Sequence, residues 1–74
     1  MPKLNPAKPR EVIQKLQHLG YAGPFGGGKH IFMRHPTTRL KIPVPMHQGR
    51  DMPVGTLRAI LRQASISVDE WLEL

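Results

Sequence analysis

A run of four residues ahead of a histidine combines features that phosphate chemistry uses. Gly26-Gly27-Gly28 is followed by Lys29 and then by His30. Glycines let the backbone approach a phosphate closely, and successive backbone amides can form a concavity that binds anions. A lysine ammonium stabilises developing negative charge, and an imidazole can move a proton near neutral pH. The alternative interpretation is a loose hairpin turn with an exposed histidine, and spacing alone does not separate the two.

Other reactive groups are scarce. The chain contains no cysteine, which excludes disulfides, thiolate zinc sites and thiol nucleophiles. Only Glu11 and Asp51 are acidic before the last six residues, so paired-carboxylate hydrolysis and carboxylate metal sites are poor fits. No two histidines have the i, i+4 spacing of a helical metal site; the four are His18, His30, His35 and His47. We therefore expect no metal site and no cofactor, with His18 solvated and His35 capping a turn.

The charge distribution points to a polyanionic partner. Eleven Lys and Arg residues against five Asp and Glu residues give a net charge of +6. Residues 1–66 hold all eleven basic residues and only two acidic ones, a net +9. A small basic body of this kind attracts nucleic acid, although a merely soluble basic surface is the alternative. The candidates for contacting a phosphate backbone are Arg34, Arg39, Lys41, Arg58 and Arg62.

Length and apolar runs limit the architecture. Seventy-four residues allow one domain. The longest apolar runs, such as Ile31-Phe32-Met33, are three residues long, so we expect no membrane span. No apolar segment follows the basic start of the chain, which predicts no signal peptide and a cytoplasmic protein.

Proline spacing and hydrophobic periodicity divide the chain into an arm and a domain. Three prolines among basic residues predict a flexible basic arm over residues 1–9, and a single domain follows over residues 10–74. Helical periodicity predicts a helix over residues 10–19 and a second helix after Pro53. The apolar positions of the second helix are Leu57, Ile60, Leu61 and Ala64.

Three strands are expected between these helices, over residues 21–25, 30–35 and 39–44. Alternation in the last strand places Leu40, Ile42 and Val44 on its buried side. The capping-box spacing from Ser67 to Glu70 predicts a short third helix, with Trp71 packed on the core.

The resulting order is α-β-β-β-α with a short C-terminal helix. It predicts a two-layer α+β fold, in which a three-stranded antiparallel sheet packs on two helices. The opposite face of the sheet is expected to be open and polar.

Several motifs in this order resemble the HicA family of bacterial toxins, over about residues 9 to 66. The motifs are Gly27-Gly28-Lys29-His30-Ile31-Phe32, Arg34-His35-Pro36, Ile42-Pro43-Val44-Pro45 with His47, and Pro53-x-Gly55-Thr56-Leu57 with Ile60-Leu61-x-Gln63-Ala64. Many family members have a histidine in the slot that Lys29 fills, and others have the histidine one residue later, as His30 is here. His30 is the residue of this motif that can accept a proton near neutral pH.

The resemblance implies a fold similar to the double-stranded-RNA-binding domain and the toxin role in a type II toxin–antitoxin system. Such toxins cleave messenger RNA and are neutralised by a HicB-type antitoxin. The hypothesis is a metal-independent endoribonuclease with His30 as general base, and with either His47 or water as general acid. The expected substrate-binding residues are Lys29, Gly27, Gly28, Arg34, Lys41 and His47.

Two alternatives have different consequences. A non-catalytic RNA-binding module of the double-stranded-RNA-binding type would bind RNA without cleaving it. A protein-interaction subunit that docks an acidic partner would show no salt-sensitive RNA affinity.

Overall fold

The computed structural model describes residues 3–28, 30–46 and 50–74. Three antiparallel strands lie between two helices, and a short helix follows, which confirms the predicted α+β fold. The elements are α1 (Pro9–His18), β1 (Ala22–Gly27), β2 (His30–Arg34), β3 (Lys41–Pro45), α2 (Val54–Gln63) and α3 (Val68–Leu72). Within the described residues, no helix combines the length and apolar character needed to cross a bilayer.

The strands form one sheet in the order β1-β2-β3, so β2 is central. Met33 of β2 lies opposite Ile42 of β3, and both side chains are buried. Because side chains alternate along a strand, the residues on either side of Met33 project from the other face. Those outward positions of β2 are His30, Phe32 and Arg34.

Two helices cover the inward face of the sheet. α1 buries Val12 and Leu16 of its apolar stripe, and α2 buries Leu57, Ile60 and Leu61. Together with the inward strand residues they form the core, as the helical periodicity predicted. The other face, which we call the open face, carries Ala22, Phe25 and Gly27 of β1, His30, Phe32 and Arg34 of β2, and Lys41, Pro43 and Pro45 of β3.

The terminal helix is tied to α1. Ser67 and Glu70 form the predicted capping box, in which each side chain accepts a hydrogen bond from the other residue's backbone amide. Trp71 is buried, and the Lys15 ammonium donates to its carbonyl oxygen at 3.1 Å. The same ammonium lies 4.8 Å from the centroid of the Trp71 ring. The predicted core position of Trp71 is therefore confirmed.

Part of the segment predicted to be a flexible arm packs against the domain. Leu4 and Ala7 are buried. Ala7 exchanges two backbone hydrogen bonds with Met52, at 3.3 and 2.6 Å between nitrogen and oxygen. The packing differs from the predicted arm because single apolar residues between prolines give no periodic signal, and their partner lies far along the chain.

The prediction that Leu40 faces the core is wrong. β3 begins at Lys41, two residues later than predicted. Arg39 turns the chain with a φ of 64°, and the following Leu40 is 39% exposed. Residues 39 and 40 lie in the turn before the strand, where alternation does not determine which side a residue faces.

Candidate active site

A close approach between two strands sets the position of His30. β1 continues through Gly26 and Gly27, two residues further than predicted, and Gly27 pairs with His30. Gly26 has a φ of +86°, which L side chains rarely adopt, and a Cβ built there would lie 2.5 Å from the carbonyl oxygen of His30. The β1 backbone can reach the start of β2 because residue 26 lacks a side chain.

His30 is an exposed residue at the first position of the central strand. Its neighbours across the sheet are Gly27 on one side and Pro45 on the other. Neither neighbour carries a long side chain that would cover the imidazole. A Cβ at Gly27 or at Gly28 would meet no atom of the described residues within 4 Å. Among the described residues, the histidine therefore lies beside open space, on the sheet face that the helices leave uncovered.

Two predicted cations share this face with His30. Arg34 lies four residues along β2, roughly 13 Å from His30 at the rise of a β-strand. Lys41 pairs with Arg34 across the sheet, and both side chains are exposed. No residue of the open face is acidic among those defined above, so this surface favours an anion.

The other candidates separate into different places. Arg58 and Arg62 are exposed on α2, which packs on the opposite side of the sheet from His30. Arg39 lies in the turn before β3. Lys29 and His47 lie outside the described residues. The structure therefore brings together His30, Arg34 and Lys41 on one face, with Gly27 and Gly28 at its end.

His35 has a structural role in a turn, as the sequence predicted. Its Nδ1 accepts hydrogen bonds from the backbone amides of Thr37 and Thr38, both at 3.2 Å. This requires the tautomer with its proton on Nε2. The ring also meets Tyr21 edge to face, with centroids 5.0 Å apart. The side chain of His35 therefore stabilises the turn. His18, by contrast, is exposed at the end of α1, on the helical layer.

Sequence reasoning missed two aromatic residues on the open face. Phe25 and Phe32 lie opposite each other on β1 and β2, with ring centroids 5.5 Å apart. The Lys41 ammonium lies 4.2 Å from the centroid of Phe32. The open face was expected to be polar, and these rings correct that expectation. The signal was available in part, because Phe32 is two residues from His30 and must share its side of the strand.

Potential metal ligands are dispersed. In the described parts of the chain, no group of three or more histidine, aspartate or glutamate residues is placed to hold an ion. The acidic residues lie on the helices, at Asp51 before α2, and at the C-terminus.

Comparison with known families identifies the chain's relatives. The family model described as the HicA toxin of bacterial toxin–antitoxin systems matches residues 9–66. The chain belongs to the HicA toxin family. The match runs from the first residue of α1 to the segment just before α3, and so includes the sheet, both long helices and His30. No curated protein sequence matches the chain.

Membership in the HicA family confirms the resemblance seen in the motifs. It makes the chain a toxin of a bacterial toxin–antitoxin system and implies a HicB antitoxin as its partner. HicA toxins are known to cleave messenger RNA, which supports a nuclease role.

Proposed function

We propose that this HicA chain is a metal-independent endoribonuclease that cuts unpaired messenger RNA, with His30 as its general base. The observation that carries the proposal is the position of His30. Its imidazole is exposed beside an open glycine turn, on the one sheet face that also carries Arg34 and Lys41. A proton acceptor on the same face as two cations that can bind the RNA backbone suits cleavage of a phosphodiester by its own ribose.

The proposed reaction is an internal transfer to phosphorus. His30 removes the proton from a ribose 2′-hydroxyl, and the 2′-oxygen attacks the adjacent phosphorus. The bond from phosphorus to the 5′-oxygen breaks, and that oxygen takes a proton from a general acid, either His47 or water. The products are a 2′,3′-cyclic phosphate and a 5′-hydroxyl. General-base catalysis of this kind contributes roughly 10²–10⁴ in rate.

Charge stabilisation is assigned to the residues that flank His30. Lys29 directly precedes it in the chain and would supply an ammonium for the phosphate. The backbone amides of Gly27 and Gly28 would donate to the phosphate oxygens, and no described residue occupies the space at either Cβ position. Arg34 and Lys41 would hold the RNA backbone further along the sheet.

The 2′-hydroxyl gives the sharpest test of this chemistry. Purified protein is incubated with an end-labelled unpaired RNA and with the same RNA carrying one 2′-deoxynucleotide at the mapped cut. We expect cleavage of the first, with cyclic phosphate and 5′-hydroxyl ends, and none at the substituted position. Cleavage that persists at the deoxynucleotide would overturn the mechanism, because no 2′-oxygen is available there.

Two further measurements test metal independence and the alternative that the protein binds RNA without cleaving it. A chelator should leave the rate unchanged, and a loss of activity would contradict metal independence. Salt-sensitive binding without cleavage of either an unpaired RNA or a duplex would instead identify a non-catalytic RNA-binding module. Addition of the HicB-type antitoxin should stop cleavage, which requires that it cover His30 or displace the RNA.

A further inference from the structure

The aromatic pair on the open face lies outside the core. Phe25 is 44% exposed, and its cross-strand neighbour Phe32 is partly buried, with an angle of 36° between the ring planes. Lys41 approaches the Phe32 ring, so Phe32 has Phe25 on one side and an ammonium on the other. Phe25 therefore supplies most of the exposed surface of the pair.

Hydrophobic burial does not explain this arrangement. The core is built on the other side of the sheet, where the helices supply the apolar contacts. Single exposed apolar residues are normal on a protein surface. Two phenylalanines in contact, on the face that carries Arg34 and Lys41, form an exposed apolar patch of the kind that marks a binding site. An aromatic ring backed by a second ring is rigid and presents a π surface at low cost in side-chain entropy.

We propose that Phe25, supported by Phe32, is a stacking platform for an unpaired nucleobase of the RNA next to the phosphate at His30. This inference rests on the proposed function, since it assigns to the same RNA a second contact on the same face. Stacking on aromatic side chains is the general way in which proteins hold unpaired bases.

Three observations favour a nucleobase over a side chain of a protein partner. The platform is flanked by Lys41 and Arg34, with no acidic residue on the open face, so the charge suits a polyanion. Phe32 lies two residues from His30, about 7 Å along β2, so one RNA strand can contact both. The exposed group is an aromatic ring, on whose π face a nucleobase can stack. An aliphatic side chain has no such face.

Binding of an uncleavable RNA separates this inference from the catalytic proposal. The probe is a short unpaired RNA with 2′-O-methyl groups throughout, labelled for fluorescence anisotropy. Phe25→Ala should weaken binding about 5- to 150-fold, the range for loss of one stacked base. Leu72→Ala is the matched control, because Leu72 is also 44% exposed but lies on α3. Its affinity should equal that of the wild type.

A double-mutant cycle, which combines the Phe25 variant with RNA probes lacking one base, identifies the nucleobase that stacks on Phe25. Removing bases one at a time from the probe should reveal one position where the loss weakens binding to the wild type but not to Phe25→Ala. Phe25→Leu keeps apolar bulk without a π surface and should behave like Phe25→Ala, while Phe25→Trp should bind at least as tightly as the wild type. Circular dichroism shows whether each variant is folded. If Phe25→Ala is unfolded, the comparison is made with Phe25→Leu.

The outcomes are distinguishable. Equal RNA affinity for the wild type, Phe25→Ala and Phe25→Leu would overturn the platform, even if the wild type cleaves RNA as proposed. Loss of antitoxin affinity in Phe25→Ala, with RNA affinity unchanged, would assign the rings to the protein interface and also overturn it. A wild type that never cleaves RNA but shows the expected binding cycle would support the platform while removing the catalytic proposal.

Discussion

Replacing Gly26 by alanine tests whether the turn positions His30 as the structure indicates. The backbone φ of +86° is unfavourable for an L side chain, at about 1–2 kcal/mol for an alanine in the left-handed region. The new Cβ would also lie 2.5 Å from the carbonyl oxygen of His30, so the start of β2 must move. The dihedral cost alone should lower the melting temperature by roughly 4–16 °C for a domain of this size. A shift of about 1 Å in the position of the His30 imidazole can reduce the cleavage rate by up to 10²-fold.

Two control variants separate the effect of the strained turn at Gly26 from the effect of an added methyl group. Gly27→Ala adds the same methyl group one residue later, at an ordinary φ and with no described atom within 4 Å, so its melting temperature should stay within about 1–4 °C of the wild type. Gly55→Ala, in the first turn of α2 where a Cβ would meet no described atom within 4 Å, should leave both the melting temperature and cleavage close to those of the wild type. Thermal melts and single-turnover cleavage measure both effects. If Gly26→Ala melts like Gly27→Ala and cleaves at the wild-type rate, the close approach does not hold His30 in place.

Two further predictions address the cationic strip and the core. Lys41→Gln should make the slope of log affinity against log salt shallower by about 0.7 for unpaired RNA, the value for one phosphate contact, whereas Arg58→Gln on the helical layer should not change it. Equal slopes for the two variants would remove Lys41 from the RNA path. Burial raises the pKa of Tyr21 above its usual 10.0, so ionisation favours the unfolded chain and the free energy of unfolding should fall as the pH rises beyond 10. Denaturant titrations of Tyr21→Phe should show a smaller alkaline loss, and an unchanged alkaline profile would contradict this assignment.

The features predicted well from sequence are those that local spacing determines. The stripe of Leu57, Ile60 and Leu61 needed only the helical period, and all three are buried. The capping box at Ser67 and Glu70 needed only a spacing of three residues. His30 at the start of a strand followed from the glycines before it, and the structure places it there.

The features that were missed depend on contacts between distant segments. Ala7 pairs with Met52, and no pattern within residues 1–9 reports a partner that far away. Phe25 meets Phe32 because of the register between β1 and β2, which includes an irregularity between Ala22 and Phe25. Alternation within β2 could place Phe32 beside His30, but the partner ring required the pairing itself.

The same limit applies to the basic residues. Net charge predicted a polyanionic partner, yet it treated Arg58 and Arg34 alike. The two-layer arrangement separates them, since Arg34 lies on the open face with His30 and Arg58 lies on the outer surface of α2. The division of charge between the two layers therefore had to come from the tertiary structure.

In the proposed mechanism, His30 accepts the proton of the attacking hydroxyl. The most direct measurement compares single-turnover RNA cleavage by the wild type, His30→Ala and His18→Ala, because His18 is also an exposed histidine but lies on the helical layer. We expect a loss of roughly 10²–10⁴ in rate for His30→Ala alone, with the circular dichroism spectrum and melting temperature nearly unchanged in both variants. A folded His30→Ala protein that cleaves at the wild-type rate would contradict it.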